Sequence, residues 1–334
     1  MAAGYDIIGD IQGEAEALET LLQDMGYVEG ESGYTHSDGD RKAIFVGDYV
    51  DRGHGNQRVL EIVRSMVESG NARAIMGNHE LDHVRYATTG PNGKYVIPHD
   101  GIRDTFLKTC LDELPFGSEE HQEMVDWFKT LPVMVETDDF VVIHASYDVN
   151  SIEELKANLG EDHTLPEGAF GSEKLSRSFS NAMSTAIKGP SIGLPTGIKD
   201  SLVEHERSTT GEVGFTAERG IRRVYWWKEG EGSPQEVLGL TELNLSDEHT
   251  AQLQRVMDRR TQNGHGISGP EKPVFFGHYH LGDDPHLTSD RAVCLDFRGK
   301  VTAYRHNDGD GKNVFADRIV SVDVKESAEQ NLDF

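Results

Sequence analysis

The chain has 334 residues, with 58 acidic side chains against 32 basic ones and a formal net charge of −26. That length buries a sizeable core and accommodates one large domain or two ordinary ones. The charge disfavours nonspecific nucleic-acid binding, which needs cationic side chains on phosphates, and no run of about 18 apolar residues exists to span a bilayer.

The opening MAAGYDII carries neither the basic nor the long apolar segment of a signal peptide, so the expected setting is the cytoplasm. Cys110 and Cys294 then read as two buried thiols rather than a disulfide. An acidic surface of this kind suits strong solvation or a high-salt cytoplasm, where screening tolerates self-repulsion. An anionic substrate needs a strong local positive charge to approach it, and metal ions are the obvious source.

In chain order, GYDIIGD, EAEALETLLQDM, KAIFVGD, NQRVLEIVRSMVES and ARAIMGN alternate strand-like and helical periodicity, the rhythm of a layered α/β core. Asp10, Asp48 and Asn78 all fall at strand carboxyl ends, where open α/β sheets collect ligands. HVRYATTGPNGKYVIPHDG reads as a loop excursion, HQEMVDWFKTL as a helix, and DDFVVIHAS as a buried strand ending in His144. From about 150 to 220 the chain is rich in Gly, Ser, Pro and charge, and reads as an insertion or lid. Strand signals return at IRRVYWW, KPVFFGH, RAVCLDF and KVTAYRH, close enough in sequence to suggest a second, mostly antiparallel sheet. Residues 1–306 are expected to form one catalytic domain with that insertion, and 307–334 a C-terminal strand and polar tail ending in ESAEQNLDF.

Four segments stand out: GDIQG (9–13), GDYVDRG (47–53), GNHE (77–80) and GHYH (277–280), with His144 between the last two. Each follows an apolar strand, and strand ends with glycine turns hold oxygen and imidazole ligands without backbone clash. Taken singly each is weak, since a strand-end aspartate also caps helices and a histidine there is often a satisfied core residue. The whole set, in this order, resembles the calcineurin-like metallophosphoesterase superfamily, in the branch of PPP-type phosphoprotein phosphatases and symmetrical diadenosine tetraphosphatases. GDxVDRG and GNHE are matched in full, and the resemblance covers roughly residues 5–305.

The resemblance implies a four-layer α/β/β/α sandwich of two mixed sheets flanked by helices, with two divalent ions side by side at the strand ends. By position, Asp10, Gln12, Asp48 and His280 would hold the first ion, and Asp48, Asn78, His144 and His278 the second. Ions about 3.5–4 Å apart need a shared anion, which Asp48 supplies, and in-line attack on phosphorus would come from a hydroxide bridging the pair. His79 would be the general acid, Asp51 its orienting partner, and Arg52 a fork for two phosphate oxygens. Arg223 is a candidate second phosphate cation, beside Arg219, Arg222 and Lys188, for each of which a salt bridge is the plainer reading.

The family usually has histidine where this chain has Gln12. A glutamine oxygen is a poorer ligand than imidazole for zinc or iron, so the first site is expected to be weaker and shifted toward manganese, with magnesium, iron or zinc as other occupants. The expected reaction is metal-dependent hydrolysis of phosphate esters. Substrates would be a phosphorylated small molecule, a nucleotide such as a dinucleoside polyphosphate, or a phosphoprotein, with no duplex nucleic acid or membrane as partner. HELDH (79–83) also satisfies the HExxH pattern of zinc peptidases, and Gln12 with Trp226 and Trp227 makes a non-catalytic metal-bound module conceivable. His83 and His99 read as structural or substrate-facing.

Overall fold

The near-continuous apolar runs of GYDII and KAIF form neighbouring parallel strands, as fully buried strands do. In the computed structural model these are β1 (Gly4–Ile8) and β4 (Arg41–Phe45), paired with Ile7 opposite Ile44. Residues 4–160, 162–171, 175–211, 213–262 and 271–325 are described; the expected tail ESAEQNLDF lies outside them.

Between β1 and β4 come α1 (Ala15–Asp24) and a hairpin of β2 (Tyr27–Gly30) and β3 (Gly33–His36). Then follow α2 (Asn56–Glu68), β5 (Ala72–Ala74), α3 (Asn78–Ala87), β6 (Met134–Glu136) and β7 (Val141–Ile143). Later strands are β8 (Ser191–Gly193), β9 (Ile221–Arg223), β10 (Val274–Phe276), β11 (Ala292–Cys294), β12 (Asp296–Phe297), β13 (Lys300–Asn307) and β14 (Ile319–Asp323). Among the described residues, 4–188 and 271–325 form one compact unit and 189–262 a second.

In the first unit, one sheet runs β12-β13-β1-β4-β5 with β14 on β13, and the other runs β11-β10-β7-β6. Ile7, Ile44 and Tyr304 from the first sheet, with Ile75 just past β5, interlock with Val135, Val142, Phe275 and Val293 from the second, all essentially inaccessible. Helices α1 and α2 pack on the first sheet, burying Leu18, Leu21 and Leu22 and Val59, Val63 and Met66 at helical spacing. The architecture is a four-layer α/β/β/α sandwich.

The second sheet is mixed, not mostly antiparallel: β10 pairs parallel with both β7 and β11, and only β6 runs against β7. KVTAYRH does not join it. The two-residue turn Arg298-Gly299, with Gly299 at φ +67°, folds β13 back on β12 and lays it antiparallel against β1. IRRVYWW is a strand only at β9, which pairs with β8 in a ribbon of the second unit, and Trp226 and Trp227 follow in a 3-10 turn. Both rings are buried, with Trp227 stacked on Tyr225 at 5.0 Å, so neither is the exposed aromatic that a docking module would need.

The segment read as an insertion from about 150 to 220 divides at KGPSIGLPTG. Helices Val149–Lys156 and Arg177–Lys188 belong to the first unit, and the second begins at Gly189. Its own core gathers Ile198, Leu202, Val224, Leu238 and Leu253. Among the described residues no helix is long and apolar enough to cross a membrane.

Candidate metal centre

Parallel strands β1, β4 and β5 of one sheet and β7 and β10 of the other discharge Asp10, Asp48, Asn78, His144 and His278 at one rim, just past their carboxyl ends. The loops there are laced together: Ile11 and Gln12 both donate their N–H to the Asp48 carbonyl, at 3.0 and 2.9 Å, and Gly53 donates to the Gln12 carbonyl at 2.8 Å. Of the seven non-glycine residues with positive φ among those described, six are Gln12, Asp48, Asp51, Arg52, His278 and His280. Strain of about 1–3 kcal/mol each is concentrated where side chains must converge. The motif glycines make that convergence possible. A Cβ on Gly277 would sit 1.8 Å from Asp10 Oδ1, and one on Gly77 2.3 Å from Asp48 Oδ1.

Ligand atoms of Asp48, His144 and His278 lie within 4.8 Å of one another, all buried. Asn78 Oδ1 joins them, 2.6 Å from His278 Nδ1 and 3.3 Å from His144 Nε2. His144 Nδ1 donates to the Val46 carbonyl at 2.8 Å, which leaves the Nε2 lone pair facing the group. Burial would raise the Asp48 carboxyl, but His144, His79 and His278 hold it well below the usual carboxylate range.

On the other side of Asp48, Asp10 accepts the His278 N–H at 3.0 Å, and Asp296 accepts the His280 N–H at 2.5 Å with His280 Nδ1 3.4 Å from its other oxygen. Burial, then Asp296 and Asp48, push the Asp10 carboxyl well up. Three buried carboxylates crowd one rim, and a divalent cation between them relieves the repulsion; the donor set fits a metal pair. Gln12 is set there by its backbone, with φ 53°. Arg52 Nη1 comes within 3.5 Å of His280 Nε2, bringing the one guanidinium of GDYVDRG to the rim.

His79 Nδ1 meets Asp51 Oδ2 at 2.6 Å, and its Nε2 lies 3.8 Å from Asp48 Oδ2. Burial would lower this imidazole's pKa, but Asp48 and then Asp51 raise it to about 9. The neighbouring Glu80 is fully engaged: Oε2 accepts the N–H of Gly77 and of Asp48, and Oε1 that of Tyr49, all at 2.8 Å. It ties the start of α3 to the loop after β4 and has no freedom to act as a peptidase base. His83 Nε2 contacts Asp51 Oδ1 at 3.2 Å.

Asp296 and Asn56 escape the sequence reading as site residues, and Glu80 and His83 enter it only through HELDH, in other roles than these. Asp296 lies in the strand signal RAVCLDF, and only the fold shows it behind His280. Asn56 Oδ1 accepts the Asp51 N–H at 2.7 Å, which an (i, i+5) spacing hints at weakly. Lys188 pairs with Asp82 at 2.7 Å, and Arg222 donates to the carbonyls of Leu238 and Gly239. Arg223 lies on β9 in the second unit, whereas the rim is built from residues of the first.

Residues 5–182 match the family model of calcineurin-like phosphoesterases. Over 128 residues the chain is 36% identical to the asymmetrical bis(5'-nucleosyl)-tetraphosphatase PrpE of Halalkalibacterium halodurans, covering 38% of this chain and 48% of that protein. It is 28% identical over 138 residues to a symmetrical bis(5'-nucleosyl)-tetraphosphatase of Ralstonia nicotianae, covering 41% and 40%. The chain thus spans about half the length of the curated relatives it matches. Among solved structures, a serine/threonine phosphatase of Saccharomyces cerevisiae aligns at a TM-score of 0.48 and 14% identity, covering 98% of this chain and 82% of that one.

Proposed function

The chain belongs to the calcineurin-like phosphoesterase family, and from that premise we propose that it hydrolyses phosphate esters at the strand-end rim, with two divalent ions sharing Asp48. The observation that carries this is the buried group Asp48, His144 and His278, closed by Asn78 on one side and flanked by Asp10 and His280 on the other. Asp10, Gln12, Asp48 and His280 would hold one ion, and Asp48, Asn78, His144 and His278 the other. When bound, the pair supplies positive charge against the phosphoryl oxygens and lowers the pKa of water at the rim. An amide and carboxylates beside imidazoles suit manganese, with magnesium, iron or zinc as other occupants.

The chain's own residues do the rest. Arg52 offers two parallel N–H donors to phosphate oxygens. His79, protonated and held at Nδ1 by Asp51, presents Nε2 to the leaving oxygen and gives up that proton as the P–O bond breaks. No side chain attacks phosphorus, so water displaces the leaving group in one in-line step.

Within this chemistry we favour a dinucleoside polyphosphate over a phosphoprotein, because the curated relatives at 36% and 28% identity are tetraphosphatases of that class. Turnover of diadenosine tetraphosphate, phosphoserine peptide and phosphotyrosine peptide with added Mn²⁺ tests both levels. Nucleotide release at least tenfold faster than peptide dephosphorylation supports the substrate. Faster peptide hydrolysis redirects it, and no metal-dependent turnover of any of them overturns the enzyme reading. The zinc-peptidase reading of HELDH loses its base to the three backbone hydrogen bonds on Glu80.

A further inference from the structure

We propose that His83 is a positioning residue for the general-acid pair: it fixes the rotation of the Asp51 carboxylate, and through it the aim of His79. This rests on the phosphoesterase reading above. The two oxygens of Asp51 are divided between two imidazoles, Oδ2 to His79 Nδ1 at 2.6 Å and Oδ1 to His83 Nε2 at 3.2 Å. His79 and His83 are four residues apart on α3, so one helix face presents both rings to one carboxylate. Asp51 and His83 are each fully inaccessible, so no solvent donor can replace either contact.

Two further observations separate this from ordinary core packing. Asp51 sits at φ 74° with its N–H held by Asn56, so its backbone is pinned and the remaining freedom is rotation of the side chain. The other ring nitrogen of His83 has beside it only the buried thiol of Cys110, a weak hydrogen-bond partner. A buried imidazole set between a carboxylate and a weak thiol partner is costly for mere packing, where an apolar residue of similar size would serve. What it contributes is the Nε2–H donated to Asp51. Without that donor the carboxylate can turn about its Cβ–Cγ bond, and the hydrogen bond orienting His79 loses its fixed direction. The proton that His79 Nε2 gives to the leaving oxygen is then delivered from a wider spread of ring orientations. The three residues of HELDH that make the HExxH pattern thereby have their roles: His79 an acid, Glu80 a clamp on the backbone and His83 a support for the acid's partner.

The test compares His83→Leu and His83→Gln with the unmodified full-length protein, at saturating Mn²⁺, on phenyl phosphate and p-nitrophenyl phosphate. The nitrophenolate leaves without much help from an acid, and phenolate does not. Outer-shell losses of this type run to about 10–100-fold. We expect kcat on phenyl phosphate to fall by about that factor in His83→Leu, KM to hold, and kcat on p-nitrophenyl phosphate to change by no more than about threefold. His83→Gln, which can place an amide N–H near the Nε2 position, should recover most of the loss. An equal loss on both esters, or a glutamine variant as poor as leucine, would show a structural role and overturn the proposal. The proton spectrum reads the same point without turnover. A downfield imidazole N–H resonance that disappears in His79→Asn should broaden or shift upfield in His83→Leu and persist in His83→Gln. An unchanged resonance in His83→Leu overturns the positioning role, whereas an inactive native protein that shows the expected shifts refutes only the reaction.

Discussion

Around Asp48, the half of the rim formed by Asn78, His144 and His278 and the half formed by Asp10, Gln12 and His280 are held by different means. In the first, two of the three ligands are anchored by neighbours that leave their donor atoms facing inward: Val46 for His144, and helix α3 for Asn78. In the second, two carboxylates, Asp10 and Asp296, oppose each other, and one of the proposed ligands is an amide, Gln12. On the proposed reading the first half is preorganised and the second would need a cation to reconcile its charges, so the two sites are expected to be unequal.

The largest effect expected is on the residue the halves have in common. Asp48→Ala should abolish phosphate-ester turnover, a loss beyond the roughly 10⁴-fold ceiling of a single general acid; residual activity within a hundredfold of native would break the shared-ligand account. Next is His79→Asn, with kcat reduced by about 10²–10⁴-fold while bound manganese, read by elemental analysis, is unchanged. The pH profile sharpens this. His79, which Asp51 raises above the ordinary histidine value, is in its acid form below its pKa and loses it above, so kcat should decline on the alkaline side. Asp51→Asn removes a carboxylate that raises the imidazole and should move that limb down toward the ordinary histidine value of about 6.5. A limb that does not move would assign it to another group.

The contrast between halves is tested most simply at Gln12. After dialysis the protein should retain about one ion per chain, and Gln12→His should retain about two, with manganese affinity at the weaker site raised by about 10–100-fold. Two tightly held ions in the native protein would remove the contrast. Asp296→Asn should have the smallest effect, weakening that site by about tenfold while leaving the other as it was.

Most of the rim was legible because motif residues sit directly after apolar runs, where periodicity and turn glycines coincide: GDIQG, GDYVDRG, GNHE and GHYH each follow a strand of the first unit. The sheets were less legible. β10, β11, β12 and β13 are neighbours in sequence but divide between two sheets, because the chain passes from one to the other at Leu295, between β11 and β12, before the Arg298-Gly299 turn folds β13 back on β12. Supporting residues were hidden for the same reason. Asp296 reaches His280 across 16 positions, Glu80 clamps Asp48 across 32, and His83 meets Asp51 across 32, contacts that only tertiary packing creates. Arg223 belongs to the second unit, whose short ribbon and buried tryptophans were misread as one long strand.

The central claim, a pair of cations sharing Asp48, is tested most directly by calorimetric titration of Mn²⁺ into the metal-free protein. Two binding events of unequal affinity are predicted in the native chain, with His144→Ala losing the tighter one and Asp48→Ala losing both. A single event in the native protein, or two events surviving in Asp48→Ala, would contradict it.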